Sequence, residues 1–272
     1  MSRRRWRELA GDDPIRKRRT VMTDRPGRRI PEGFDEATPG PGLSMRVARG
    51  LDAAELASRI LEIPAAPAQA RYFGRAGLHA VPLPGGDALV RSYRHGGLLR
   101  GLTRGWFLSR PPRPFVELAV TVTARERGLA TLEVLAALVA WGPGPWYRGW
   151  LVTRELNNAR DLWAELRQGL PGEARQSLLR RTGRSLRFMH ESGIAHADLN
   201  LRNILVRTEG SHPEIHIIDF DRARLFPGAV PAARARRNIR RLSRSVNKLD
   251  PERLRVSPED WACLLDGYHS GG

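Results

Sequence analysis

The 272-residue chain carries 46 basic against 29 acidic residues, a formal charge of +17, and all but Lys17 and Lys248 of the basic residues are arginine. That charge favours an anionic partner, whether nucleic acid, an anionic membrane surface or a phosphorylated glycolipid, without choosing among them. The single cysteine, Cys263, excludes a disulfide framework and a cysteine-based metal site, and the longest apolar run, Val134 to Trp141, is too short to span a bilayer.

Residues 1–42 combine Arg3, Arg4, Arg5, Arg7, Arg16, Lys17, Arg18 and Arg19 with Pro26, Pro31, Pro39 and Pro41. They lack the apolar segment of a secretory signal and are expected to form a mobile basic arm. Ala53 to Leu61 reads as a short helix ahead of Pro64. Tyr72 to Gly77 then leads into a strand over Leu78–Leu83, a turn at Pro84-Gly85-Gly86 and a returning strand ending in Ala88-Leu89-Val90-Arg91-Ser92-Tyr93. Gly74 and Gly77 stand where backbone N–H groups could approach phosphates, although the same glycines would serve an ordinary hairpin.

A helix opening near Pro114 puts Phe115, Leu118 and Val122 on a core face, with Glu117 close to its first turn. Val134–Ala140 and Trp150–Thr153 read as two strands joined by the Gly/Pro-rich turn around Gly142. Helix-period residues Leu178, Leu179, Thr182, Leu186 and Met189 form a core stripe that ends at Gly193, a helix-stop residue. Near the C-terminus, residues 222–248 hold nine basic residues and no acidic one, with Ile239, Leu242, Val246 and Leu249 on one stripe. A last helix starts at Ser257-Pro258-Glu259-Asp260.

Between these helices lies the stretch with the most chemistry. His196-Ala197-Asp198-Leu199-Asn200-Leu201-Arg202-Asn203 has the order H-x-D-x-x-x-x-N, and Asp219 follows 16 residues after Asn203 at the end of an apolar run. Ile204-Leu205-Val206 and Ile215-His216-Ile217-Ile218 flank a turn, and a hairpin there returns Asn203 and Asp219 to one end. Phosphoryl transfer to a hydroxyl needs a carboxylate beside the incoming oxygen and oxygen ligands for Mg²⁺. Asp198 meets the first need, Asn203 and Asp219 the second. Any one of these residues alone could be a turn former, but four types at these offsets match a kinase-type site.

Met189 to Asn200, together with Ile218-Asp219-Phe220-Asp221-Arg222-Ala223-Arg224, resembles the kinases that phosphorylate 3-deoxy-D-manno-octulosonic acid (Kdo) on the lipopolysaccharide inner core, and the likeness runs from about Gly74 to Tyr268. The resemblance implies an α+β, protein-kinase-like two-lobed fold, with a small antiparallel-sheet nucleotide lobe over 43–156 and a mainly helical lobe over 157–272. It implies Asp198 as the catalytic carboxylate with His196 orienting the loop, Asn203 and Asp219 as metal ligands, and Gly74 and Gly77 over ATP. Protein kinases hold the α- and β-phosphates with a third-strand Lys, which this chain lacks; Arg91 occupies that place, and Glu117 is its candidate partner. Glu155 and Leu156 are assigned to the adenine-binding hinge by position alone, and Arg94-His95-Gly96-Gly97 resembles the family's basic glycine turn.

The implied reaction is transfer from ATP, with Mg²⁺, to the 4-hydroxyl of Kdo on Kdo-lipid A, on the cytoplasmic side of a Gram-negative inner membrane. The anionic membrane surface would be a peripheral partner, and nucleic acid is not expected as one. Two alternatives stay open: a kinase for heptose, another small hydroxyl substrate or a protein, and a non-catalytic pseudokinase or basic nucleic-acid-binding protein. The absence of an A-P-E segment argues against a peptide acceptor. The missing Lys favours a pseudokinase, and the intact Asp198, Asn203 and Asp219 argue against it.

Overall fold

The computed structural model describes residues 26–63, 78–93, 105–209 and 213–270. The longest apolar run becomes strand β5 (Val134–Trp141), whose first six residues are all buried. A strand buried on both faces needs a packed layer on each side. A register irregularity between Val134 and Ala136 shifts the alternation of side chains. Val134, Ala137 and Val139 accordingly pack with Phe115 and Leu118 of helix α2 (Arg113–Glu126), whereas Leu135, Ala136 and Leu138 pack with Leu56, Ala57 and Ile60 of α1 (Ala53–Leu61).

Around β5 an antiparallel six-stranded sheet is laid out in the order β1-β2-β5-β6-β4-β3. Its other strands are β1 (Phe34–Ala37), β2 (Leu43–Ala48), β3 (Leu78–Leu83), β4 (Gly86–Ser92) and β6 (Tyr147–Arg154). The β3–β4 hairpin closes through Pro84 and Gly85, where Gly85 and Gly86 take φ of 82° and 120°, a region closed to most side chains. Pro82 is tolerated because β3 is an edge strand.

The expected arm is shorter than 42 residues. Phe34–Ala37 pairs with β2 as β1, and Phe34 joins the cluster under α2. Just before it, Gly27 sits so close to α2 that a Cβ would lie 2.9 Å from the Val116 backbone, and the Arg46 guanidinium donates to the carbonyls of Arg28 and Arg29. One partly buried aromatic and a run of backbone contacts thus anchor a segment whose Pro, Gly and Arg content reads as unstructured.

The remaining chain forms a mainly helical lobe: β7 (Ala159–Asp161), α3 (Leu162–Arg167), α4 (Gly172–Glu191), β8 (Ile194–Ala195), β9 (Ile204–Arg207), β10 (Glu214–Ile217), β11 (Arg224–Leu225), α5 (Ala232–Leu249) and α6 (Pro258–His269). Leu178, Leu179, Thr182, Leu186 and Met189 are all buried, as their helical spacing requires. Helices α4 and α6 cross at two glycines: a Cβ on Gly183 would meet the Leu264 carbonyl at 2.1 Å, and one on Gly267 the Arg180 carbonyl at 2.0 Å. Helix α6 begins with a reciprocal Ser257/Asp260 capping box, which satisfies two otherwise orphaned N–H groups.

Three contacts tie α2 and the loop behind it to the helical lobe. Arg127 donates to the carbonyls of Ser192 and Phe226, the Ile217 N–H donates to the Ala130 carbonyl, and Arg113 forms a two-pronged ion pair with Asp221. They fix the cleft between sheet and helical lobe.

Candidate functional site

The cleft has apolar walls from both sides. Leu78, Leu89 and Leu151 line it from the sheet, Leu205 and Ile218 from the β9–β10 side, and Thr153 and Leu156 at the connection. Charged groups line it at two places, Arg91, Glu117 and Asp219 in one cluster and Arg160 and Asp161 on β7. Apolar walls with a cation among them suit a ligand that joins an aromatic base to phosphates.

Arg91 sits at the end of β4, and α2 brings Glu117 opposite it. One guanidinium nitrogen lies 2.5 Å from both Glu117 carboxylate oxygens, and the other donates to Asp219 Oδ1 at 3.1 Å. Tyr93, two residues along the same strand, donates its hydroxyl to Glu117. Burial disfavours the Arg91 charge, but Glu117, Tyr93 and Asp219 outweigh it and raise the guanidinium pKa. Burial likewise pushes the Glu117 carboxyl up while Arg91 opposes it; because guanidinium cannot shed its proton, the two remain an ion pair. The pair was legible from the strand position and the helix start. Tyr93 as the second donor was not.

The catalytic-type loop is held from below. His196 is fully buried: its Nδ1 accepts from the Asp198 N–H at 3.0 Å, its Nε2 donates to the Ile218 carbonyl at 2.9 Å, and its ring packs on Phe220. Burial pushes its pKa down, consistent with a neutral ring bonded at both nitrogens. His196 therefore positions the loop through the Asp198 and Ile218 backbone and is not among the residues lining the cleft. Asn200 and Asn203 both donate through Nδ2 to the Asp198 carbonyl at 2.9 Å, leaving the Asp198 carboxylate turned outward, 65 % exposed.

Hairpin β9–β10 pairs Ile204 with Ile217, and the Ile218 N–H donates to the Asn203 carbonyl at 3.0 Å. Asn203 and Asp219 thus arrive at one end, as the two-strand reading expects. Asp219 has φ of 70°, a left-handed conformation that costs energy for a residue with a Cβ. Two residues on, Asp221 is held by Arg113.

Of the hinge residues, Leu156 lines the cleft, while the Glu155 N–H is used on the Asp87 carbonyl at 2.9 Å. Gly74, Gly77 and the Arg94–Gly97 turn lie outside the described residues.

Sequence reasoning missed Asn238. Buried on α5, it accepts from the His196 N–H at 3.0 Å, donates to the His196 carbonyl at 2.5 Å, and contacts His190 Nε2, whose other nitrogen meets the Tyr268 hydroxyl at 2.7 Å. A signal was present, since Asn238 interrupts the stripe Ala235, Leu242 and Val246, and a polar group on a core face needs partners.

Residues 67–268 match the model of the lipopolysaccharide kinase (Kdo/WaaP) family. The chain belongs to that family. The 3-deoxy-D-manno-octulosonic acid kinase of Vibrio vulnificus strain YJ016 is 34 % identical over 204 residues, covering 72 % of this chain and 81 % of that one. The kinase of the same description from Xanthomonas axonopodis pv. citri strain 306 is 36 % identical over 204 residues, covering 72 % and 76 %. A solved structure described as WaaP in complex with acyl carrier protein is similar in fold, with a TM-score of 0.53 at 18 % identity over 82 % of this chain and 84 % of that one. As a member of the lipopolysaccharide kinase family the chain is a phosphotransferase with an alcohol acceptor, and its α+β, kinase-like fold matches the expectation from sequence. Among the described residues no helix is long and apolar enough to cross a membrane.

Proposed function

We propose that this kinase transfers the γ-phosphoryl of ATP to the 4-hydroxyl of Kdo on Kdo-lipid A. The observation that carries the reading is the chain Glu117–Arg91–Asp219 across the end of the cleft, with the exposed Asp198 carboxylate one loop away. Adenine would lie between Leu89 and Ile218 near Leu156, and Arg91, held by Glu117, would take the α- and β-phosphates in place of the usual Lys. Asp198 would receive the proton of the attacking hydroxyl as its oxygen bonds to phosphorus and the bond to the β-phosphate oxygen breaks, releasing ADP.

The donors Asn203 and Asp219 are hard oxygen ligands, delivered together by the hairpin, and fit Mg²⁺, which typically takes one or two protein oxygens plus substrate phosphates. Mg²⁺ would neutralise charge on the transferring phosphoryl group. The strained Asp219 backbone and its Arg91 contact support a residue placed for function.

The sheet lobe, from β1 to residue 156, and the helical lobe over 157–272 are proposed as the two working units. The arginines of α5 and of the N-terminal segment are proposed to hold the enzyme peripherally on the anionic cytoplasmic face of the inner membrane. Incubation with ATP, Mg²⁺ and Kdo-lipid A should yield a product heavier by one phosphoryl group. Transfer to a heptose acceptor but not to Kdo-lipid A would redirect the reading to the related sugar.

A further inference from the structure

Helix α5 is bound to the catalytic-type loop at two points. Asn238 pins the His196 backbone on one side, and the Ser245 hydroxyl accepts from the Leu201 N–H at 3.3 Å on the other. Between them, Arg241 donates to Asp198 Oδ1 at 3.2 Å. Positions 238, 241 and 245 share a helix face, so the helix that steadies the loop also carries a guanidinium to its carboxylate. That bond is single and half exposed, with Arg241 at 42 % and Asp198 at 65 %, and exposed pairs of this kind are weak and easily exchanged.

Arg241 does not stand alone. Helical spacing aligns Arg234, Arg237, Arg244 and Lys248 with it, and residues 222–248 contain no acid to offset them. Like charges four apart disfavour a helix, and Arg237/Arg241, Arg240/Arg244 and Arg244/Lys248 are such pairs. The apolar side of α5 is spent on the core, where Leu242 and Val246 are buried. Its outer face can therefore take anions but not acyl chains.

A carboxylate that is to receive a hydroxyl proton has to be uncovered where the hydroxyl arrives, and Arg241 lies across that approach. We infer that Arg241 is a specificity-determining residue of the acceptor site: it leaves Asp198 to bind an acid group of an anionic sugar acceptor, bringing the neighbouring hydroxyl onto Asp198. This rests on the proposed reading of the chain as a sugar kinase. A guanidinium binds a carboxylate or phosphate with two parallel hydrogen bonds, better than the one it makes here, and an octulosonic acid carries such a carboxylate on the sugar that is phosphorylated.

The test is steady-state kinetics of the wild type, Arg241→Gln and Arg241→Lys on Kdo-lipid A, its Kdo methyl ester and its lipid-A-dephosphorylated form. A charge-assisted pair predicts that Arg241→Gln raises KM for Kdo-lipid A about tenfold or more, with KM for ATP unchanged, and that Arg241→Lys recovers part of the loss. If the sugar carboxylate is the group bound, the ester abolishes the difference between wild type and variant. If a lipid A phosphate is bound, the dephosphorylated acceptor abolishes it instead. An equal fall in kcat on all three acceptors with KM unchanged would overturn the inference, because Arg241 would then act only on Asp198. Wild-type enzyme that transfers to none of them contradicts the sugar-kinase reading itself, and the inference falls with it.

Discussion

Replacing Arg91 by alanine removes the cation paired with Glu117, a carboxylate that is 2 % exposed. Losing one partner of a buried ion pair costs about 3–5 kcal/mol. Two features lower that figure here: Arg91 is 29 % exposed in its side chain, and Tyr93 still donates to Glu117. Glu117, whose pKa burial already raises, can also take up a proton. We expect a loss of about 2–3 kcal/mol, or roughly 5–10 °C in melting temperature for a chain of this size. Calorimetry should find ATP binding weakened at the same time, with Arg91→Lys retaining part of it because the charge survives without the fork. The double variant Arg91→Met/Glu117→Leu separates stability from function. It leaves no buried carboxylate unpaired but takes the acceptor from the Tyr93 hydroxyl, so it should regain part of the stability without regaining ATP binding. Wild-type ATP affinity in Arg91→Ala would refute the phosphate role, and an unchanged melting temperature would refute the energetic account of the pair.

Asp219→Asn should abolish Mg²⁺-dependent nucleotide binding in calorimetry while the protein stays folded, since asparagine tolerates the left-handed backbone at this position. Asp198→Asn should bind ATP nearly normally and turn over roughly 10²-fold more slowly or worse, as removal of a general base typically does; rapid-quench assays would reveal it. Burial lowers the His190 pKa from 6.5 to about 4, so the folded state binds fewer protons than the unfolded state between those values. Its contribution to stability is therefore present above pH 6.5 and is lost as pH falls towards 4, up to roughly 3 kcal/mol, and the difference between wild type and His190→Gln in urea melts should shrink across that window. Binding to anionic vesicles, if the α5 arginines drive it, should fall steeply with salt, because the Debye length is only about 8–10 Å near physiological ionic strength.

What was legible in the sequence was local. The spacing from His196 to Asp219 fixes residues that a single loop and hairpin bring together, and strand and helix periods located β3, β4, β5, α4 and α6. Arg91 with Glu117 could be inferred because a strand end and a helix start are both readable positions. What could not be read depends on how distant elements pack. Asn238 and Arg241 are more than thirty residues beyond the loop they touch, and nothing in their own neighbourhood says that this loop is what α5 packs against. Arg113 finds Asp221 across the cleft for the same reason. Strand β1 was hidden because its pairing energy comes from β2, while its own composition reads as linker. For His196 the motif supplies the residue type, and only the structure reveals that both ring nitrogens are occupied by backbone.

The central claim is that Asp198 directs the phosphoryl group to one hydroxyl of Kdo. Phosphorus–proton NMR correlation on the product of ATP, Mg²⁺ and Kdo-lipid A tests it most directly, run in parallel with Asp198→Asn. The account predicts a phosphate coupled to the proton at C4 of Kdo with the wild type and almost none with the variant. A phosphate on another sugar or position, or equal product from Asp198→Asn, would contradict it.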